Sequence, residues 1–305
     1  CRGISNCYVS PNFPNGFCYL IYKEKHQMIS DSIYLIANNN WLFLTLIFIL
    51  SLLVGSFLNV VIYRLPIILN NAWRSECQEF LHPEIEFDKP AHYTLSSPGS
   101  ACPKCNTKIK WYYNIPVFSW LALKGKCNIC KSRIGLKYPL IEFATAVLSV
   151  LVAWKFDATI QCVFALALTW MLIPLVFIDF AEQILPDRLV FPLLGLGLLA
   201  GANNVFISAE QSIYGALIGF SILWGICQVF KLITKKEGMG FGDLKLFATA
   251  GAWFGALALP NMLVIAAGTG ALIGIALLII KKGESLPYAF GPYIALGMWI
   301  TLMTT

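Results

Sequence analysis

The sequence predicts an all-α polytopic membrane protein: about eight membrane-crossing helices, with a zinc-binding cytoplasmic insertion between helices 1 and 2. Three observations predict it. Hydrophobic residues make up 58% of the 305-residue chain and charged residues only 12%, against roughly 25% charged in soluble domains. The apolar residues lie in long runs of the length a bilayer crossing needs, about 20 residues. One polar stretch, residues 64–138, interrupts those runs and carries two closely spaced cysteine pairs.

Residues 1–27 do not begin with Met, are irregular and polar, and are followed by Met28. They are expected to be an upstream or non-native extension and are set aside from the fold. Residues 28–63 hold an N-terminal segment and the first apolar run, Trp41 to Tyr63. That run is too long for a signal-peptide core and has no small-residue cleavage site after it, so it reads as a retained helix. Residues 64–138 follow as the polar domain. The remaining runs lie close together in 139–305, near 139–155, 159–179, 188–206, 212–233, 244–259, 261–280 and 287–303.

Charge sets the orientation. Eleven of the 22 Lys and Arg residues fall between Arg64 and Lys137. Arg188, the Lys235, Lys236 and Lys245 group, and Lys281 with Lys282 lie in or beside connections on the same side, while the opposite side has little beyond Lys155. Positively charged loops stay in the cytoplasm, so the 64–138 loop is expected there and both termini outside. The net charge of +6 belongs to this topology. No basic patch is interleaved with aromatics as a nucleic-acid surface would be, and no nucleic-acid partner is expected. Gly251 with Gly255, and Gly270 with Gly274, are spaced four apart as in close helix crossings, and packing is the role expected of them.

Cys102 and Cys105 form one Cys-x-x-Cys pair, Cys127 and Cys130 a second, with 21 residues between. Two such knuckles suit tetrahedral S4 coordination of one Zn2+, with no position left open, so the site is expected to be structural. A redox pair would sit beside a βαβ pattern, which is absent. Cys162 and Cys227 lie in apolar runs, where cysteine behaves as a small hydrophobe. Cys77 has no evident partner, and Cys1, Cys7 and Cys18 fall in the set-aside stretch.

Charged residues at membrane depth are costly and point to function. Asp179 ends one long apolar run, and Asp243 follows Gly240-Phe-Gly242 at the start of another. Two carboxylates on different helices, at one depth, can converge and share a proton. One then acts as base on a water while the other polarises a carbonyl as acid. The glycines before Asp243 would admit an extended peptide. Asp243 alone reads more readily as a helix cap. Asp187, after Pro186, fits a cap better than catalysis. Glu142, just inside the second span, would pair with a nearby cation, and its role is left open.

These residues resemble the type IV prepilin peptidase (leader peptidase) family from the first span to the C-terminus. The resemblance is carried by Gly55-Ser-Phe-Leu-Asn-Val-Val-Ile-Tyr-Arg-Leu-Pro66, both cysteine pairs, Ile115-Pro-Val-Phe-Ser-Trp120 and Tyr138-Pro-Leu-Ile-Glu142. It continues through Asp179, Leu185-Pro-Asp187, Gly240-Phe-Gly-Asp-Leu-Lys245 and Phe290-Gly-Pro292. It implies a membrane aspartic endopeptidase in the bacterial inner membrane, with Asp179 and Asp243 as the catalytic pair facing the cytoplasm. Prepilins and pseudopilins would be its substrates, cut after the Gly that ends a short basic leader. Members with the large cytoplasmic loop also methylate the new N-terminal amine with S-adenosylmethionine. The sequence holds no fingerprint for that donor, and Gly125 is the one candidate for methyl transfer. The rival readings are a proton-coupled transporter using the same aspartates and a membrane scaffold whose zinc loop binds a partner.

Overall fold

The computed structural model describes residues 40–81, 93–97, 99–102, 104–236, 238–280 and 289–305. Residues 1–27, Met28, Lys89, Lys281 and Lys282, to which the sequence reading gave roles, lie outside that set. Ile47–Thr305 form one compact unit. The described residues are mostly helical and include no strand, only two isolated antiparallel bridges, Ala101 with Lys108 and Lys126 with Arg133.

The helices are α1 (Asn40–Leu81), α2 (Phe118–Ala122), α3 (Lys137–Phe156), α4 (Ile160–Glu182), α5 (Asp187–Ala202), α6 (Ala209–Thr234), α7 (Phe241–Phe254), α8 (Leu259–Ile280) and α9 (Gly291–Thr304). A helix stands wherever an apolar run predicted one. Among the described residues, five stretches are long and apolar enough to cross a membrane: α1, α3, α4, α6 and the segment Ala256–Ala276 that contains most of α8. The chain is therefore a multi-pass membrane protein. α5, α7 and α9 have only 16, 14 and 14 residues.

α1 departs from the expectation. It does not end at Tyr63 but runs 42 residues through Pro66 to Leu81, into the stretch read as polar loop. The extension has its own apolar seam: Val61, Leu65 and Leu69 pack with Ile178 of α4. That seam lies one residue from Asp179. Packing against Ile178 holds this extension to α4 despite the polar residues around it, which mask its few apolar positions in the sequence.

Local signals define the helix ends. The Thr159 hydroxyl accepts from Cys162 N–H at the start of α4, and Ser208 with Gln211 forms a capping box at the start of α6. α4 stops where Gln183 takes the left-handed conformation, at φ 56°.

Tertiary contacts sort the helix ends into two groups. Lys155 Nζ donates to Leu302 O, and Gln161 Nε2 to Val205 O. This end therefore gathers the C-termini of α3, α5 and α9 with the N-terminus of α4. The opposite end holds the C-terminus of α4 and the N-termini of α5, α7 and α9, with Asp179, Asp187, Asp243 and Gly291.

α6 and α7 make the closest crossing. Gly215 and Gly251 stand backbone against backbone, and a Cβ on Gly219 would lie 2.9 Å from Phe247 O. Ser212, one turn away, donates to Ala252 O at 2.6 Å. The packing role expected of Gly251 is thus met by Gly215 of α6, a partner that spacing along the chain does not reveal. α9 packs against α4, α7 and α8.

Candidate active site and metal centre

The two aspartates approach from opposite chain directions. Asp179 is the fourth-last residue of α4 and Asp243 the third of α7. They are 4% and 9% exposed, so each carboxylate has left water. Their charges lie within interaction range of one another. Such a pair cannot ionise fully at both members without strong mutual repulsion.

Each acid leans on a helix N-terminus. The backbone N–H of Gly291, at the first position of α9, interacts with Asp179, and that of Gly240 with Asp243. Neither helix has a side-chain cap from its own N-cap residue, so the carboxylates meet orphan N–H groups and the positive dipole ends. Asp243 is not the N-cap itself, as the capping alternative had it. Gly240 is, and Asp243 reaches back from the third position. Among the described residues, Asp179 Oδ2 is buried with no hydrogen-bond partner.

Leu185 packs at the N-termini of both α7 and α9. Its side chain lies against Gly242, where a Cβ would come within 2.9 Å, and against Gly291, where a Cβ would come within 3.0 Å. Gly242 is therefore small where Leu185 packs against it. A Cβ on Gly240 would meet only Asp243 Oδ2, at 3.9 Å, so open space remains there.

Asp187 is not a cap. Pro186 is the N-cap of α5, and Asp187 binds Lys245 through both oxygens, at 2.7 and 2.9 Å. This pair ties α5 to α7 two residues from Asp243. Glu142 has no salt bridge among the described residues. Its Oε2 accepts from the backbone N–H of Val117 at 2.8 Å.

The four cysteines Cys102, Cys105, Cys127 and Cys130 come together, with all their sulfurs within 4.8 Å of one another and none in a disulfide. Each pair sits in the same turn. Cys102 N–H donates to Thr107 O and Cys127 N–H to Ser132 O, and the residue after each second cysteine, Asn106 or Lys131, takes a left-handed φ of 52° or 57°. Cys102 and Cys130 Sγ lie 3.7 Å apart, close to the ~3.8 Å edge of a tetrahedron with metal–sulfur bonds of about 2.3 Å. Backbone N–H groups of Cys105 and Lys104 pull the Cys102 thiol down to about 6. The Ser132 hydroxyl lowers Cys130 as well. The cluster is thus able to hold a metal ion.

Gly125 has a conformational reason to be glycine. Its φ is +65°, and a Cβ would lie 2.8 Å from Trp120 Cζ2. Gly125 N–H donates to Trp120 O, and Gly125 O accepts from Ile134 N–H.

The bacterial peptidase A24 N-terminal domain matches residues 49–156, and the type IV leader peptidase family matches residues 166–275. A prepilin leader peptidase/N-methyltransferase of Stutzerimonas stutzeri is 45% identical over 269 residues, 88% of this chain and 93% of that protein. This chain belongs to the type IV leader peptidase family. Proteins of the same description from Pseudomonas aeruginosa and Neisseria gonorrhoeae are 46% and 42% identical, over 88% and 83% of this chain and 92% and 87% of theirs. No solved structure matches. Both aspartates lie within the stretch matched to the type IV leader peptidase family, and all four cysteines within the N-terminal match.

Proposed function

We propose that this chain removes the basic leader from type IV prepilins and pilin-like secretion subunits, and then N-methylates the residue so exposed. The observation that carries the first activity is the buried pair Asp179 and Asp243, within reach of each other's charge at one end of the helices. A shared proton leaves one carboxylate as base on a water and the other as acid on the scissile carbonyl. Gly291 and Gly240 N–H groups hold the two acids, and Asp179 Oδ2 remains uncommitted for proton exchange.

The active end is proposed to face the cytoplasm of the bacterial inner membrane, with eight helices crossing and the 64–138 insertion on the same side. The charge asymmetry supports this. Cys102, Cys105, Cys127 and Cys130 would hold one structural Zn2+, which keeps together an insertion with little apolar content of its own. Methylation would draw on S-adenosylmethionine. It must follow cleavage, because the amine does not exist before. Nothing favours the transporter rival: transporter sites lie near the bilayer midplane, and these carboxylates are at helix ends. The scaffold rival leaves two buried acids without a role.

The test is mass spectrometry of a prepilin incubated with the purified protein, with and without S-adenosylmethionine. Loss of the leader in both samples, and a methyl group only with the donor, is the expected result. An intact leader in both would overturn the reading.

A further inference from the structure

Three sequence motifs with no part in the dyad meet at one buried carboxylate. Glu142, 8% exposed, lies one turn inside α3. The Ser56 and Asn59 side chains of α1 lie beside it. Asn59 in turn donates to Tyr138 O at 3.1 Å. A Cβ on Gly55 would lie 2.8 Å from Glu142 Cα, so α1 and α3 touch closely there. The third partner comes from the insertion: Val117 N–H, at 2.8 Å.

Val117 is held in an unfavourable conformation. Its φ is 59° and ψ −51°, and Phe118 N–H closes back onto Pro116 O. This is a γ-turn of the rare positive-φ kind, strained for any L-residue and most of all for a β-branched one. The turn starts α2, whose Trp120 donates to Ile134 O at 3.2 Å and lies against Gly125. Cys127 is two residues further. One continuous path therefore runs from Glu142 through Val117, Trp120 and Gly125 to the second cysteine knuckle.

We propose that Glu142 is a positioning residue whose carboxylate, by holding the Val117 turn, docks the four-cysteine module on α1 and α3 in the orientation that methyl transfer requires. The inference rests on the proposed methylation activity. It makes Glu142 dispensable for the dyad, which α4, α7 and α9 assemble without it.

The experiment uses the full-length protein in detergent, with hydrogen exchange, metal content, leader cleavage and methylation measured on each variant. Glu142→Ala should speed exchange of the Ile115–Leu123 amides and lower methylation by roughly tenfold or more, as expected for loss of a buried hydrogen bond to a charged acceptor. Cleavage should stay within about twofold of wild type on the same argument. Val117→Pro removes the donor from the other side and, with φ locked at about −65°, also forbids the turn, while leaving α3 untouched, so it should give the same split. Val117→Gly keeps the N–H and relieves the strain, and should methylate at the wild-type rate. Should Glu142→Ala disturb α3 itself, Val117→Pro still reads the contact. Unchanged exchange and methylation in both Glu142→Ala and Val117→Pro overturns the inference alone, as does an equal loss of cleavage and methylation in Val117→Pro. A wild-type protein that cleaves but never methylates overturns the functional reading instead.

Discussion

The backbone N–H of Gly291 faces the Asp179 carboxylate so closely that a Cβ on this glycine would lie 2.6 Å from Asp179 Oδ2. The N-terminus of α9 thus ends on an acid of α4, and the Phe290-Gly-Pro292 motif acquires a role. Pro at the second position suits a helix start, and glycine at the first is the residue that leaves room for the acid.

Gly291→Ala should therefore damage activity more than stability. The neighbours that must yield are a carboxylate and the tip of Leu185, not backbone. Displacing a reacting group by about 1 Å can cost on the order of a hundredfold in rate. We expect cleavage to fall between tenfold and a hundredfold on that principle, with little change in thermal midpoint. Parallel cleavage and melting measurements check this; a large loss of midpoint with residual activity in proportion would show that the glycine serves packing alone.

Asp179→Asn and Asp243→Asn should each abolish cleavage, and the double variant should be no worse than either, because groups acting as one unit are strongly non-additive. Asp187→Asn should retain much of the activity: its partner is Lys245, the Asp187 side chain is 51% exposed, and exposed ion pairs contribute about 0–1 kcal/mol. The native pH profile should show two apparent pKa values belonging to the pair. Cleavage assays in liposomes at matched protein levels decide, and a working Asp243→Asn would remove the dyad.

One zinc per chain is expected by elemental analysis. Cys102→Ser should lower that content and make the insertion protease-sensitive, since the metal would join the two cysteine turns to each other. Full metal content in the variant would exclude Cys102 as a ligand. Gly125→Val is not a neutral probe of methyl transfer, because a β-branched residue at φ +65° would also strike Trp120.

Gly251→Ala should destabilise the protein. The added atom meets the Gly215 backbone, which cannot rotate aside as a side chain can. Overpacking of this kind costs about 1–3 kcal/mol. A lowered thermal midpoint in detergent, restored by no change of pH, is the expected result, and a midpoint equal to wild type would mean the crossing can open freely.

Orientation can be read with a native thiol. Cys77 is free and exposed near the end of α1. If the insertion is cytoplasmic, an impermeant maleimide should label wild type beyond a Cys77→Ser control only after the inner membrane is opened. Labelling in intact cells would reverse the topology.

The sequence by itself determined the helical class, the position of nearly every helix, the two cysteine pairs and the two aspartates. Each of these is a local pattern, carried by a run of apolar residues or a short spacing. The tertiary structure decided which groups meet. It drew the four sulfurs together, brought Asp179 and Asp243 within range of each other's charge, and set Gly291 and Leu185 beside them, although more than a hundred residues separate Asp179 from Gly291. It also gave Asp187 to Lys245 and Glu142 to Val117, two partnerships left open by spacing alone. α1 was underestimated for the same reason. Residues beyond Tyr63 are too polar to register as apolar, and only Ile178, far along the chain, supplies the surface that Leu65 and Leu69 bury against. Patterns of hydrophobicity and spacing report what a residue needs, while the partner that meets the need lies wherever packing brings it.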